Sequence, residues 1–357
     1  MTNKHTLFPR VQDYYADLVT HLNSAQKEIS MTCLAFEDGL WPRRILQALV
    51  DRAAGGIPVR LMVDQLGQVS DEPRTFLTNY HILENLRSQG VQVDVFHPAL
   101  PGLSIRNRMH CKFCAIDDDT LYIGGSNVAD YYTTWSDTNL RLDGNLGSQF
   151  HETYDYLRSF SHRESQDTAA SYLPGDTTGD QLCLTIPGMR RDVRQALLNL
   201  IRNADREIHL RTWYFLPDAE IMDLLCAQAE QGVTVNVLLS NKTRIRPVDL
   251  ANVIHIQRLV LAGGRVFRYA RSYMHAKVAW NEHGEVLLGS ANLDAHSMSS
   301  NFESCLLIQD EKLTRELQQV FDSDLCDCLP STPESYTRIP LPGRLLSHTC
   351  NLASPWL

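Results

Sequence analysis

The sequence has no apolar stretch of the length that a membrane-spanning helix needs, about 18 residues or more. Its start, MTNKHTLFPRVQDYY, has no charged segment leading into an apolar core, which is the pattern of a secretory signal peptide. Basic residues are outnumbered, 33 against 42 acidic ones, so the formal net charge is −9. We therefore expect a cytoplasmic protein, and the negative charge argues against a general nucleic-acid binder.

Disulfide and metal patterns are also missing. The nine cysteines have no regular spacing, which argues against a disulfide framework and favours a reducing compartment. Cys111 and Cys114 have the spacing of a redox pair, but they lie in a predicted strand, which would place them on opposite faces. There is no HExxH helix, no pair of CxxC motifs and no acidic metal-binding cluster, so we expect no catalytic metal and no cofactor.

The sequence contains an internal repeat: the same order of predicted strands and helices occurs in each half. A strand pattern opens at Lys27-Glu28-Ile29 in the first half and at Arg206-Glu207-Ile208 in the second. In each half a helical pattern ends near a glycine, Gly56 or Gly232, and a short apolar strand follows. Alternating strands and helices predict an α/β fold, with two similar α/β/α sandwich halves built on mixed or parallel sheets.

The domain boundaries follow from this repeat. We expect the first half over residues 1–165, a linker over 166–181, the second half over 182–330 and an irregular tail over 331–357. The linker is polar, has little periodicity and contains Pro174 and Gly175. The tail is predicted to be irregular because five prolines fall in the last thirty residues.

A second repeat concerns polar residues that follow the last predicted strand of each half. The distance from the histidine to the first glycine is 14 residues in both halves, and the distance from histidine to asparagine is 17. An acid follows 27 residues after the first histidine and 28 after the second. The members are His110, Lys112, Asp117, Asn127 and Asp137 in the first half, and His275, Lys277, Glu282, Ser290, Asn292 and Glu303 in the second.

This duplicated pattern resembles that of the phospholipase D superfamily, whose members carry an HxKx4D motif twice, each followed by GSxN. The resemblance covers roughly residues 20–325, and segments 135–142 and 301–303 are similar to the bacterial cardiolipin synthase branch. It implies an enzyme, a phosphodiesterase or transphosphatidylase that works through a covalent phosphohistidine. It also implies that the two halves pack as a pseudo-dimer with one shared active site.

The chemistry of a phosphodiester explains why these residue types occur together. One neutral imidazole attacks phosphorus, and a second, protonated imidazole donates its proton to the leaving alkoxide, so one site needs both histidines. Lys112 and Lys277, each two residues beyond its histidine on the same strand face, neutralise the nonbridging oxygens as a metal does elsewhere. We predict that Asn127, Asn292 and Ser290 donate hydrogen bonds to the same oxygens.

The acids are assigned by the resemblance. It implies that Asp137 and Glu303 orient the histidines, and the sequence leaves open whether each acid serves the histidine of its own half or that of the other half. It implies a structural role for Asp117 and Glu282, although Glu282 stands where the family pattern has aspartate.

The two motifs differ in ways that bear on the roles of the histidines. Gly125 occupies the place of the serine in the first motif, and Ser126 follows it. The resemblance favours His110 as the nucleophile, and Arg106 and Arg108 before it are placed to help position a phosphate. The better GSxN match of the second motif supports the opposite assignment.

We expect a phosphatidyltransferase resembling cardiolipin synthase, which passes the phosphatidyl group of a phosphatidylglycerol-like donor to an alcohol. A phospholipase D-type hydrolase or a phosphatidylserine synthase would use the same intermediate with water or serine as acceptor. A nuclease and a non-catalytic lipid-binding scaffold are the remaining alternatives. We expect peripheral contact with the inner face of the cell membrane and no nucleic-acid partner; the motifs do not encode the acceptor.

Overall fold

A computed structural model describes residues 4–70, 76–97, 107–161 and 180–353. These residues form two mixed β-sheets flanked by helices, one sheet in each half of the chain. The α/β fold with two similar halves is therefore confirmed. Most of the predicted linker, and also Arg106, lie outside the described residues.

The first sheet has seven strands in the order β1-β7-β6-β5-β2-β3-β4, of which β2, β3 and β4 are parallel. The strands are β1 (Lys4–Arg10), β2 (Ile29–Cys33), β3 (Val59–Asp64), β4 (Gln92–Phe96), β5 (Phe113–Ile116), β6 (Thr120–Gly124) and β7 (Ser136–Asp143). The helices are α1 (Val11–Ser24), α2 (Leu40–Ala54), α3 (Gly67–Ser70), α4 (Phe76–Ser88) and α5 (Leu146–Ser161), with a 3-10 turn at Asp130–Thr134.

The second sheet has nine strands in the order β18-β13-β12-β10-β14-β15-β17-β8-β9, and a two-stranded sheet pairs β11 with β16. Its strands are β8 (Gln181–Ile186), β9 (Arg190–Arg191), β10 (Glu207–Thr212), β11 (Phe215–Leu216), β12 (Thr234–Ser240), β13 (Arg265–Tyr269), β14 (Val278–Asn281), β15 (Glu285–Gly289), β16 (Leu293–Asp294), β17 (Glu303–Gln309) and β18 (Cys328–Ser331). The helices are α6 (Asp192–Asn203), α7 (Ala219–Glu230), α8 (Arg246–Leu261), α9 (Ala295–Ser299), α10 (Glu311–Leu325), α11 (Pro333–Thr337) and α12 (Leu341–Leu352).

The two sheets repeat one topology. Strands β10, β12 and β13 are parallel like β2, β3 and β4, and β14, β15 and β17 follow as antiparallel neighbours like β5, β6 and β7. In both sheets the first strand of the half pairs antiparallel with the last strand of this series, β1 with β7 and β8 with β17. The helices cover the sheets through apolar stripes: α6, for example, buries Val193, Leu197, Leu200 and Ile201, a spacing that places all four on one helix face.

One apolar core is shared by both halves. Phe302 of the second half packs edge-on against Phe96 and Phe160 of the first, with ring centroids 4.9 and 5.1 Å apart. Two further apolar clusters lie in the separate halves. Cys111 belongs to the shared core and Cys114 to the cluster of the first half, so the two cysteines lie on opposite sides as expected and form no redox pair.

The prediction of an irregular tail after residue 330 is wrong. Helices α11 and α12 occupy most of this segment, and α12 packs along α8. The prolines misled the prediction because they stand where regular structure tolerates them: Pro330 is on the edge strand β18, and Pro333 and Pro342 lie in the first turns of the two helices. Over the described ranges, no helix is long and apolar enough to cross a membrane.

Candidate active site

The two halves meet at a pair of short backbone contacts that are related by the repeat. The N–H of His110 donates to the carbonyl of Phe302 at 2.8 Å, and the N–H of His275 donates to the carbonyl of Ser136 at 2.7 Å. In each case the residue that accepts the bond immediately precedes a catalytic candidate acid, Glu303 or Asp137. Each histidine is therefore fixed next to the acid of the other half.

The side chains follow the same crossed arrangement. Nδ1 of His110 lies 2.9 Å from both carboxylate oxygens of Glu303, and Nδ1 of His275 lies 2.8 Å from Oδ2 of Asp137. Both acids are completely buried. The pairing that the sequence left open is thus between halves, and one composite site contains both histidines.

The acids are ionised although they are buried. Burial would raise the pKa of Glu303, but the charges and hydrogen bonds of His110 and the charge of Lys112 outweigh it and hold the pKa below its usual value. The pKa of Asp137 is lowered in the same way, against its own burial, by His275 and Lys277. A carboxylate that accepts from Nδ1–H leaves Nε2 of the imidazole unprotonated and available for chemistry.

Each lysine lies beside the histidine of its own motif. Nζ of Lys112 donates to the carbonyl of His110 at 2.8 Å, and Nζ of Lys277 donates to the carbonyl of His275 at 2.7 Å. Both lysines are buried, and the charge of each lowers the pKa of the histidine in the opposite half as well. Burial lowers the pKa of Lys277 to about 7. The four predicted residues are thus together, with two cationic groups placed for an anion.

The two histidines differ in their surroundings. The side chain of His110 is 12% exposed, whereas that of His275 is 2% exposed and is surrounded by Trp213, Tyr132 and Trp135, with ring centroids 4.6, 5.2 and 5.5 Å away. Burial, followed by the charge of Lys277, lowers the pKa of His275 to about 3. The pKa of His110 is also lowered, chiefly by burial.

Ser290 does not occupy the position expected of a phosphate ligand. Its hydroxyl donates to Oε2 of Glu303 at 2.5 Å, and it therefore positions the acid. Ser126 does the same in the other half, donating to Oδ2 of Asp137 at 2.9 Å. The serine is displaced by one residue because a side chain at Gly125 would place Cβ only 2.3 Å from Oδ1 of Asp137.

The two asparagines each use one amide N–H within the fold. Asn127 donates to the hydroxyl of Tyr132 at 2.8 Å, and Asn292 donates to the hydroxyl of Tyr214 at 3.0 Å. Among the described residues no acceptor faces the second N–H of either amide, so contact with a phosphate stays a prediction. The side-chain oxygen of Asn127 accepts from the N–H of Leu34 at 3.1 Å, which gives this residue a structural role as well.

Asp117 and Glu282 lie away from this site. The carboxylate of Asp117 accepts from the backbone N–H groups of residues 26–28, and that of Glu282 accepts from residues 205–207. Each acid therefore ties down the turn that precedes β2 or β10. Glutamate does this work in the second half as aspartate does in the first.

Among the described residues, one group of side chains has its possible metal-ligand atoms close together. Asp205, Glu282 and His283 have ligand atoms within 4.8 Å of one another. Glu282 is already occupied by backbone N–H groups, and His283 Nε2 lies 3.0 Å from Asp205. This cluster is at the start of β10, whereas the histidine pairs lie beyond the opposite end of that strand.

Comparison with known proteins agrees with the geometry. The family described as "Cardiolipin synthase, PLD-like domain" matches residues 18–154 and 197–325. The chain belongs to the phospholipase D superfamily. It is 28% identical over 362 residues to the major cardiolipin synthase ClsA of Bacillus subtilis, covering 97% of this chain and 74% of that one. Cardiolipin synthase 1 of Staphylococcus epidermidis is 29% identical over 373 residues, covering 99% and 74%.

A solved structure supports the fold over the whole chain. The crystal structure of a phosphatidylserine synthase from Haemophilus influenzae superimposes with a TM-score of 0.80 at 13% sequence identity, covering 99% of this chain and 95% of that chain. At this identity the likeness concerns the fold alone. Together with the family match, it makes this chain a phospholipase D superfamily enzyme similar to cardiolipin synthases.

Arg211 is a site residue that the sequence analysis missed. Its side chain is fully buried, and it donates to Oγ1 of Thr138 at 2.7 Å, Oγ of Ser136 at 3.0 Å and Oδ2 of Asp324 at 2.5 Å. Ser136 and Thr138 flank Asp137, so an arginine of the second half holds the segment of the first half that carries this acid. The available signal was a cation within the strand predicted to open at Arg206-Glu207-Ile208.

Arg108, one of the two arginines expected to help position a phosphate near His110, is engaged elsewhere. Both Nε and Nη2 of Arg108 donate to Oδ1 of Asp64, the former at 2.8 Å, so the charge of Arg108 is already paired. Arg106 is outside the described residues. Arg108 therefore gives no local reason to choose His110 as the nucleophile. The reason that remains is that the side chain of His110 is more exposed than that of His275.

Proposed function

We propose that this protein is a phosphatidyltransferase that forms a covalent phosphohistidine and passes the phosphatidyl group to an alcohol. The observation that carries the proposal is the crossed pair of His–carboxylate contacts, which bring two imidazoles and two lysines into one site between the halves. Two histidines at one phosphate supply a nucleophile and a general acid without a further group.

In the first step, Nε2 of His110 attacks phosphorus and the bond from phosphorus to the oxygen of the leaving alcohol breaks. His275 gives its Nε2 proton to that oxygen, and the alcohol departs. In the second step, His275 takes the proton of the acceptor hydroxyl, the acceptor oxygen attacks phosphorus, and the bond from phosphorus to His110 breaks. Lys112 and Lys277 stabilise the negative nonbridging oxygens in both transition states.

His275 has to take up a proton when the substrate binds. In the free protein, burial and Lys277 hold the pKa of His275 at about 3, so the ring is neutral. A phosphodiester brings a negative charge next to the ring and offsets the two lysines, which raises this pKa in the complex. The acid is therefore formed where it is needed, opposite the more exposed His110, which we assign as the nucleophile.

The donor and acceptor are proposed from the relatives. Cardiolipin synthases are similar to this chain over nearly its whole length. We propose phosphatidylglycerol as donor and the free glycerol hydroxyl of a second phosphatidylglycerol as acceptor. The aromatic rings of Trp213, Tyr132 and Trp135 around His275 favour an alcohol over water, because they restrict the solvent on the side where the acceptor loses its proton.

The test is incubation of the purified chain with phosphatidylglycerol vesicles, followed by separation of the lipid products. Cardiolipin and free glycerol are expected, and the His110→Ala and His275→Ala variants are expected to form neither. Phosphatidic acid without cardiolipin would instead indicate a hydrolase. Phosphatidylserine formed only after serine and a liponucleotide donor are added would indicate a phosphatidylserine synthase. Absence of any lipid product would reject the proposal.

A further inference from the structure

The loop between β12 and α8 carries an unusual concentration of positive charge. Lys242, Arg244 and Arg246 are all exposed, and none forms an ion pair with another described residue. Between them Ile245 is 40% exposed. We call residues 242–247 the basic loop. It is a cationic surface with an apolar side chain on a protein whose net charge is −9.

The basic loop lies at the mouth of the site. The loop begins just after Ser240, whose hydroxyl accepts from the N–H of Met274, the residue before His275. The guanidinium of Arg244 is 5.2 Å from the ring centroid of Trp135, and that ring is 5.5 Å from the ring of His275. A surface that touches the basic loop is therefore next to the reacting groups.

An exposed apolar strip lies on the neighbouring helix α12. Leu341, Leu345 and Leu352 are 66%, 61% and 81% exposed, and their spacing places them on one helix face. The opposite face of α12 is attached to the fold, because Ser347 is buried and Cys350 packs against the small cluster that includes Val248. We call these three leucines the leucine strip.

The two features are joined through α8. Val248, which contacts the cluster of Cys350, is two residues beyond Arg246 of the basic loop. The carboxyl end of α12, with Leu352, is thus next to the start of α8. Cations and exposed leucines on adjacent elements are the combination that binds the interface of an anionic bilayer, where the charges meet headgroups and the leucines enter the acyl region.

We propose that the basic loop and the leucine strip dock the protein on an anionic phospholipid bilayer, with the mouth of the active site facing the membrane. This inference rests on the proposed function, since it presumes a lipid substrate at the site. Charge complementarity identifies the occupant. The leucines favour a bilayer over a nucleic acid, because a phosphate backbone offers no apolar layer to receive them.

The test is sedimentation of the full chain with vesicles of phosphatidylcholine alone or mixed with phosphatidylserine. The protein is expected to bind the anionic vesicles and to lose binding as salt is raised. One cation near such a surface contributes about a 5-fold gain in binding, so the K242Q/R246Q variant should bind about 25-fold more weakly. Replacing Leu345 and Leu352 by glutamine should weaken binding to the same vesicles at each salt concentration at which the unmodified chain still binds.

Matched controls exist at the far end of the same sheet. Arg206 and Arg265 are exposed cations at the amino ends of β10 and β13, opposite the basic loop, and Leu261 is 66% exposed at the far end of α8. The R206Q/R265Q and L261Q variants should bind vesicles as the unmodified chain does. Equal losses in test and control variants would overturn the proposal, because the effect would then be general charge or hydrophobicity.

The same variants also distinguish a bilayer from a second copy of the chain or a nucleic acid as the partner of this surface. If the leucine substitutions change the oligomeric state by light scattering and leave vesicle binding intact, the strip is a contact between copies and the proposal is wrong. Loss of single-stranded DNA binding in K242Q/R246Q, with no preference for anionic vesicles, would also overturn it. Sedimentation needs no turnover, so a failure of the proposed reaction in the lipid-product assay is distinguishable from a failure to dock.

Discussion

The crossed pairing of acids and histidines predicts which ring responds to which acid. In the isosteric Asp137→Asn variant, the ring that loses its carboxylate is His275, 138 residues further along the chain, and in Glu303→Gln it is His110. An amide at this place donates or accepts equally well, so the imidazole is no longer held with its proton on Nδ1. We expect the affected ring to change its tautomer and the other ring to keep it.

The size of the effect follows from two terms. A hydrogen bond to a charged partner contributes about 1.5–3 kcal/mol, which is roughly 10- to 100-fold in rate if it is lost in the transition state. Loss of the reactive tautomer adds to this, and the corresponding change in a serine protease lowers kcat by about 10⁴-fold. Because both acids are fully buried at 0% exposure, solvent cannot replace the lost bond. We expect kcat to fall by about 10²- to 10⁴-fold in each variant.

The assay combines turnover with long-range ¹H–¹⁵N correlation spectra of the histidine rings, assigned with His110→Ala and His275→Ala samples. Asp119→Asn is the matched control, since it makes the same chemical change at an exposed acid of the first half. It should alter neither ring. If Asp137→Asn changes the ring of His110 and leaves that of His275 unchanged, the crossed pairing is wrong and each acid serves its own half.

Four further outcomes are expected. Arg211→Met should lower the midpoint of thermal unfolding and kcat together, since breaking a buried ion pair costs about 3–5 kcal/mol, and Arg211→Lys should restore little because an ammonium cannot make the same planar set of bonds. KM for vesicle phosphatidylglycerol should rise as pH increases through about 7, because the free protein then loses the proton of Lys277, and Lys277→Arg should flatten this dependence even if it is slower. EDTA should leave turnover unchanged, and restoration of lost activity by one divalent ion would contradict the lysine charge clamp. His275→Ala should retain slow cleavage of a p-nitrophenyl phosphodiester and hold label on the protein, since a good leaving group needs little protonation; label on His110→Ala instead would exchange the two roles.

Much of the fold and the central residues of the site could be predicted from the sequence because each half of the repeat could be checked against the other. The repeated spacing from His110 to Asn127 and from His275 to Asn292 identifies strands and turns that have to serve the same purpose twice. The structural role of Asp117 was implied by the family resemblance and not by the repeat, and its carboxylate accepts from the backbone N–H groups of residues 26–28.

Tertiary contacts could not be read in this way. The acids follow their histidines by nearly equal distances in both halves, so pairing within a half and pairing between halves produce the same sequence. The position of Ser126 depends on the close approach of Asp137 to Gly125, which is a contact across the sheet. Arg211 showed only as a cation in a buried strand, and its partners Thr138 and Asp324 are 73 and 113 residues away.

Because of the crossed pairs, the site can form only when the two halves are packed together. Asp137 and Glu303 are both ionised and fully buried, and the imidazole that hydrogen-bonds to each carboxylate belongs to the other half. Were the halves to separate, each acid would lose its cationic environment and each histidine its orienting partner, and burying an unpaired carboxylate costs several kcal/mol. Arg211 adds a third contact of this kind, since its guanidinium is in one half and the hydroxyls that it bonds are in the other. A half that folded by itself would therefore contain a histidine and a lysine but no oriented nucleophile. The interface between the halves supplies the carboxylate that orients each histidine. The same His–carboxylate pairs stabilise this interface and keep Nε2 of both rings available for a phosphodiester.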